Sequence, residues 1–196
     1  MNVQLDISAC KKKQAVLLST LELIKEHGFH GTSMSQIAKN ANVAAGTIYH
    51  YFESKDALIK DLYIYVKERL ARAIINNDNE EESYKERFIT FWISQCNFFI
   101  ENESSMVFLE QYINSPYYKL YPGDAGELFK AHVVTFFQLG INNGYLKAID
   151  HELLSPLIRG SIVSAARYHL AGNYDFTTDK LYEMALVIWD GIKKQD

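Results

Sequence analysis

Proline is scarce in this 196-residue chain: only Pro116, Pro122 and Pro156 occur. An interior proline costs a helix roughly 3 kcal/mol, so its scarcity leaves long stretches free to be helical. Long apolar runs are missing too. None approaches the ~20 residues that a bilayer-spanning helix needs, which excludes such a helix. Met1 to Cys10 has no basic stretch followed by an apolar block, so no secretory leader is expected. Cysteine is nearly absent: Cys10 and Cys96 lie far apart, without metal-ligand spacing or a disulfide framework. Two reduced thiols in a cytoplasmic protein are the expectation. Net positive charge is also lacking, at −4 overall.

The charge that is present is unevenly placed. Residues 1–55 hold six lysines against four acidic residues, a balance of +2, and the rest of the chain carries −6. A mildly basic front and an acidic rear fit a protein that approaches phosphate with one end first. Hydrophobic residues make up 48% and charged residues 22%, enough apolar material for a real core.

Apolar spacing predicts helices nearly throughout, with no trustworthy strand pattern and no internal repeat. Val16, Leu17, Thr20, Leu23, Ile24 and His27 predict a helix over 11–27, ended by Gly28. Its start would carry Lys11, Lys12 and Lys13, against the helix dipole. Ser33-Met34-Ser35-Gln36 is a capping box opening a short second helix that stops near Asn42. A third short helix covers about Ala45 to Phe52, and Ser54 caps a long fourth one running to Ile74. The acidic stretch 76–83 follows, then amphipathic segments at 84–101, 104–113, 124–142, 150–172 and 178–194.

Residues 28–58 carry the functional signal. Two short helices joined by a tight turn make a helix-turn-helix, whose second helix enters the DNA major groove. Ala44, Ala45 and Gly46 carry almost no side chain, so that helix can approach DNA closely, its amides toward a phosphate. Thr47 offers a hydroxyl and a methyl, Tyr49, His50 and Tyr51 offer rigid donors, and Lys55 adds a charge for the backbone. Ile48 and Phe52, four apart, are expected to face the core.

The stretch closely resembles the TetR family of bacterial transcriptional regulators. The resemblance rests on Gly28-Phe29, Thr32-Ser33, Ile37-Ala38, Ala41, Val43, Gly46-Thr47-Ile48-Tyr49, Tyr51-Phe52, Ser54-Lys55 and Leu58, with Val16, Leu17, Leu23 and Ile24 upstream. Two positions depart from the family pattern. Asn42 stands where the turn usually has glycine, and Ala44 where a serine or threonine usually precedes the recognition helix.

The resemblance implies an all-α protein. A helix-turn-helix DNA-binding domain at 1–56 would be followed by a helical ligand-binding and dimerisation domain at 57–196. The function implied is a ligand-responsive repressor, a homodimer on a near-palindromic double-stranded operator, with no membrane partner and no cofactor. The DNA-contact set expected is Thr32, Ser33, Ser35, Ala44, Ala45, Gly46, Thr47, Tyr49, His50, Tyr51 and Lys55.

Downstream, aromatic residues crowd a stretch of about 50 positions, and ligand pockets are mostly apolar. Phe91, Trp92, Phe99, Phe108, Tyr112, Phe129, Phe136 and Tyr168 are the pocket candidates. Only Lys119 and Lys130 are basic within 88–137, which favours a small apolar or aromatic ligand over a polyanion. The resemblance further implies that the last two helices pair with their copies through Leu157, Ser161, Ala165, Leu181, Ala185, Ile188, Trp189 and Ile192.

No nucleophile-base pair, phosphate loop or metal-ligand spacing is present, so an enzyme is not expected. His27 and His30, three apart, read as ordinary turn histidines rather than metal ligands. The alternative function is a helical small-molecule or protein-binding adaptor that does not bind DNA.

Overall fold

A computed structural model describes residues 3–120 and 127–195, with the side chains of residues 3–10 and of His151 outside the description. The readings that fall on Cys10, Tyr121, Pro122 and the start of the segment at 124 therefore lie outside the described residues. Those residues form α1 (Val3–Gly31), α2 (Met34–Asn40), α3 (Ala45–Tyr51), α4 (Lys55–Ile75), α5 (Tyr84–Glu101), α6 (Glu103–Ile113), α7 (Pro116–Leu120), α8 (Glu127–Asn142), α9 (His151–Leu170) and α10 (Thr178–Ile192). Among the described residues there is no strand, only an isolated bridge between Leu146 and Lys193.

The chain divides into two units. The first holds the chain through Val66 together with Ser104 to the end of α7, and the second holds Lys67–Glu103 and the chain from α8 onward. The 56/57 boundary read from the sequence falls in the first turn of α4, a helix continuous to Ile75.

In the first unit, Val16, Leu21 and Ile24 of α1 pack in one core with Ile37, Ile48, Phe52, Leu58 and Leu62, all at most 2% exposed. The Ser19 hydroxyl donates to Ile37 O (3.2 Å) and ties α1 to α2. Helix α1 breaks at Gly28 (φ 68°, ψ 179°), a backbone region that L side chains rarely adopt. The break turns Phe29 into the core, 5.9 Å from the Phe108 ring and 5.2 Å from Tyr117. Three side chains satisfy the carbonyls freed there: Thr32 Oγ1 donates to Gly28 O (2.8 Å), Gln111 Nε2 to Ile24 O (3.4 Å), and Lys55 Nζ to Phe29 O. Because α1 begins at Val3, the lysine triplet lies well inside it, which corrects the expected start at residue 11. Lys13 is held by Asp61 (2.8 Å) and lies 5.3 Å from the Phe52 ring centre, while Lys11 and Lys12 are exposed.

In the second unit α5 is central and packs against α9 and α10. Phe88, Trp92, Ile158, Ile162, Ala165, Leu181 and Trp189 share its core. Arg87 grips Asp78 with two hydrogen bonds (2.9 and 2.8 Å), pinning the acidic 76–83 turn to α5. The guanidinium holds the Asp78 carboxyl below the usual carboxylate range. Tyr84 is stacked between Phe136 (4.8 Å) and Tyr145 (4.9 Å), and its hydroxyl donates to Phe136 O (3.1 Å). Burial pushes the Cys96 thiol up to about 12, so it stays protonated and inert at neutral pH.

Gly140 is the most closely surrounded of the described glycines in this unit. A Cβ there would stand 2.2 Å from Tyr84 Oη and 2.8 Å from Leu146 Cδ1. Alanine would raise helix propensity by about 1 kcal/mol, yet the stacked Tyr84 ring has nowhere to go. Gly140→Ala should therefore destabilise the protein by about 1–3 kcal/mol in a urea melt, the usual range for overpacking. An unchanged midpoint would mean that Tyr84 is free to move.

Candidate nucleic-acid interface

Helix α2 opens on the predicted capping box. Ser33 Oγ accepts from Gln36 N (3.3 Å) and Ser33 N donates to Gln36 Oε1 (2.8 Å). The turn after it closes with Val43 N donating to Ala38 O (3.0 Å) and Asn42 at φ 53°. Asparagine tolerates that left-handed backbone, so it replaces the usual glycine at little steric cost. Ala44 is the N-cap of α3 and provides no side-chain bond. Removing such a cap costs about 1 kcal/mol. What holds α3 instead is its buried face: Ile48 and Phe52 are 0% and 2% exposed.

The opposite face of α3 is open. Ala44, Ala45, Gly46 and His50 are exposed, Thr47 and Tyr51 are half-buried, and Tyr49 is 57% exposed. Nothing lies within 4 Å of a Cβ built on Gly46. The His50 and Tyr51 rings meet edge to face at 5.5 Å, which steadies both without covering them. Ser33 and Ser35 are exposed at the start of α2, with their hydroxyls 3.1 Å apart.

Two predicted contacts have internal roles. Thr32 is 1% exposed and its hydroxyl is engaged with Gly28 O, so the expectation of a Thr32 side-chain contact is corrected. Lys55 is half-buried on Phe29 O, and desolvation holds its ammonium below the usual lysine range. An ammonium has three donors, so that bond leaves it others.

The proposed pocket set does not form one group. Phe108 and Tyr112 belong to the first unit, where Tyr112 stacks on Tyr63 at 4.2 Å. In the second unit, Phe91 stacks on Phe136 (5.3 Å), Trp92 is wholly buried with its indole donating to Ser161 Oγ (2.9 Å), and Phe99 is 3% exposed. Tyr168 is 50% exposed on the outside of α9, which corrects its placement in a pocket. Phe129 is half-buried and faces a charge that the sequence reading passed over, Lys67.

The predicted pairing face is corrected in the same way. Ala165, Leu181, Ala185, Trp189 and Ile192 are buried inside this chain, with Trp189 5.6 Å from Phe88. Ser161 is held by Trp92, and Ile188 is half-buried. Only Leu157, at 61%, is fully exposed among the eight. The apolar residues that α9 and α10 do present outward include Leu153 (65%), Tyr168 and Val187 (71%).

Among the described residues, no group of three metal-ligating side chains occurs, and no helix is long and apolar enough to cross a membrane. Residues 16–62 match the family described as bacterial regulatory proteins, tetR family, and residues 83–193 match a tetracyclin repressor-like C-terminal domain. An uncharacterized helix-turn-helix-type transcriptional regulator of Haemophilus influenzae is 31% identical over 106 residues, covering 54% of this chain and 57% of that protein. The match thus spans little more than half of that relative's length. A solved TetR-family regulator from Vibrio parahaemolyticus is 32% identical, with a TM-score of 0.76 over 94% of this chain and all of that one. The regulator FadR of Bacillus subtilis, solved in complex with stearoyl-CoA, shares the fold at a TM-score of 0.71 and 20% identity, over 90% of this chain and 95% of that one.

Proposed function

The chain belongs to the tetR family of bacterial regulatory proteins, and from that premise we propose that it is a ligand-responsive repressor acting as a homodimer on a near-palindromic operator. It is a helix-turn-helix transcriptional regulator, and its relatives are described as regulators rather than enzymes. The observation that carries the proposal is the outer face of α3. A stretch almost free of side chains, Ala44 to Gly46, runs into Thr47, Tyr49 and His50 while Ile48 and Phe52 anchor the helix from behind. Such a face can lie close to base edges, with the phenol and imidazole toward the phosphates. Ser33 and Ser35 place two hydroxyls where the first helix of the motif crosses the backbone.

Two copies would present their α3 helices to successive major grooves, about 34–36 Å apart. The outward stripe of Leu153, Leu157, Gly160, Ser164 and Tyr168 on α9, with Val187 on α10, supports a paired α9–α10 face. Its two small residues allow helices to approach closely. Leu157→Asp should convert the dimer to a monomer in sedimentation and lower operator affinity by at least about tenfold, since half-sites would be bound singly. A dimer that survives this change uses another face.

Ligand responsiveness is supported by the helical domain and by the structural neighbour FadR of Bacillus subtilis, which was solved with stearoyl-CoA bound. The ligand would favour one conformer and change DNA affinity by the coupling energy, typically 1–3 kcal/mol. The direct test is a titration of the full chain with duplex from upstream of its own gene, at several salt concentrations. Specific binding, with log affinity falling linearly against log salt, is expected. No preference for that duplex over random DNA would remove the repressor reading.

A further inference from the structure

The apolar stripe of α4 contains a charge, at the point where the helix enters the second unit. Tyr63, Lys67, Leu70, Ala71 and Ile74 follow at helical spacing, and the four neighbours of Lys67 in that series are buried. Lys67 as a residue is half-buried, and its ammonium is enclosed by protein. The Nζ atom stands 3.0 Å from the centre of the Phe129 ring of α8. Among the described residues no carboxylate pairs with it. The charge it does sense is Arg159 of α9, which repels it. Lys67 therefore has the aromatic face of Phe129 against it, while the exposed Arg159 acts on it as a second cation.

This arrangement is unusual for a structural lysine. Buried charges are normally paired, because an isolated one is costly. A ring face is a weaker partner than a carboxylate, and a second cation nearby makes matters worse. Desolvation is the larger effect and Arg159 the smaller, and together they push the Lys67 ammonium down to about 7. An anion bound beside the two cations would offset both effects by its own attraction.

We infer that Lys67 and Arg159 receive the anionic head group, a carboxylate or a phosphate, of an effector whose apolar body lies against the Phe129 side of the helical domain. The inference rests on the ligand-responsive reading above and narrows it. The effector is an amphipathic anion rather than a neutral apolar molecule. The scarcity of basic residues in 88–137 points away from a polyanion, and the counter-charge comes instead from α4 and α9, outside that stretch.

The test is isothermal titration of the full chain with three probes of equal chain length: dodecanoate, dodecyl phosphate and dodecanol, each below its micellar concentration. At least one anion should bind about tenfold or more tightly than the alcohol, the margin expected of one charge-assisted contact. Which anion wins separates a carboxylate ligand from a phosphorylated one. Lys67→Met should erase the margin, Lys67→Arg should keep most of it, and Arg159→Gln should reduce it. Circular dichroism of each variant checks that it is folded. Equal binding of anions and alcohol, no saturable binding of any probe, or a margin untouched by Lys67→Met overturns the inference. Failure here leaves the DNA reading standing, because Lys67 is not among the α2–α3 residues proposed to meet the operator. Failure of the duplex titration removes the repressor reading and leaves the anion site to be judged on these probes.

Discussion

Gly46→Leu should lower operator affinity by about a hundredfold or more while leaving the thermal melt unchanged or slightly higher. Within the chain, the new side chain enters open space, since a Cβ at this position meets nothing within 4 Å. Leucine is also the better helix former, by somewhat under 1 kcal/mol. The fold thus has no reason to object. DNA does, if α3 lies in the groove along this edge. A leucine there holds the backbone several ångströms off the duplex, and every contact made by Thr47, Tyr49 and His50 lengthens together. Fluorescence anisotropy with an operator duplex reads the loss, and a circular dichroism melt reads the fold. Binding within about threefold of the parent would mean that the Ala44–Gly46 edge faces solvent in the complex, and the proposed docking would be wrong.

The same reasoning explains which parts of this protein were legible in its sequence. The helix-turn-helix was, because its signals are local. The Ser33–Gln36 capping box, the left-handed Asn42 and the break at Gly28 each depend on the backbone chemistry of a few neighbouring residues, and each is present. The longer helices α5, α6, α9 and α10 were also legible, to within about two residues of their ends, from apolar spacing, whereas the five-residue α7 is too short to show a period and was not read. What spacing does not reveal is which object covers an apolar face. Leu181, Ala185, Trp189 and Ile192 make a clean stripe on α10, but that stripe is covered by this chain's own core. The pattern is the same whether a core or a second subunit lies opposite. Aromatic density fails for a related reason: Phe91 and Phe136 stack on each other, and composition does not distinguish that from rings lining a pocket.

Thr32 and Lys67 show two further limits of the sequence. A hydroxyl beside a DNA-binding helix looks like a phosphate contact, but the break at Gly28 exposes a carbonyl four residues back and Thr32 satisfies it. Lys67 drew no attention because helices carry many lysines. The signal was its register: a charge four residues after Tyr63 and four before Ala71, inside the stripe rather than opposite it.

That register leads to the second large effect, on stability. Lys67→Met should stabilise the protein without ligand at pH 7, by about 2 kcal/mol or more and at most about 5, because one pKa unit corresponds to about 1.4 kcal/mol and the ammonium is displaced from 10.5 to about 7. Methionine keeps the length of the stem and removes the buried charge. The pH dependence has a definite sign. Between pH 7 and 10.5 the unfolded chain holds a proton on Lys67 that the folded chain has released, so wild-type stability rises with pH across this window. The penalty is complete below about pH 7 and absent above 10.5. The variant lacks that slope, so its advantage should shrink steadily as pH rises and vanish near 10.5. Urea melts at pH 7, 8 and 9 are enough to see the trend. A variant less stable than wild type at pH 7, with parallel pH profiles, would make Lys67 an ordinary stabilising residue and take away the reason to look for an anion beside it. The expected result makes Lys67 a residue that weakens its own fold, which is characteristic of positions where binding rather than folding requires the charge.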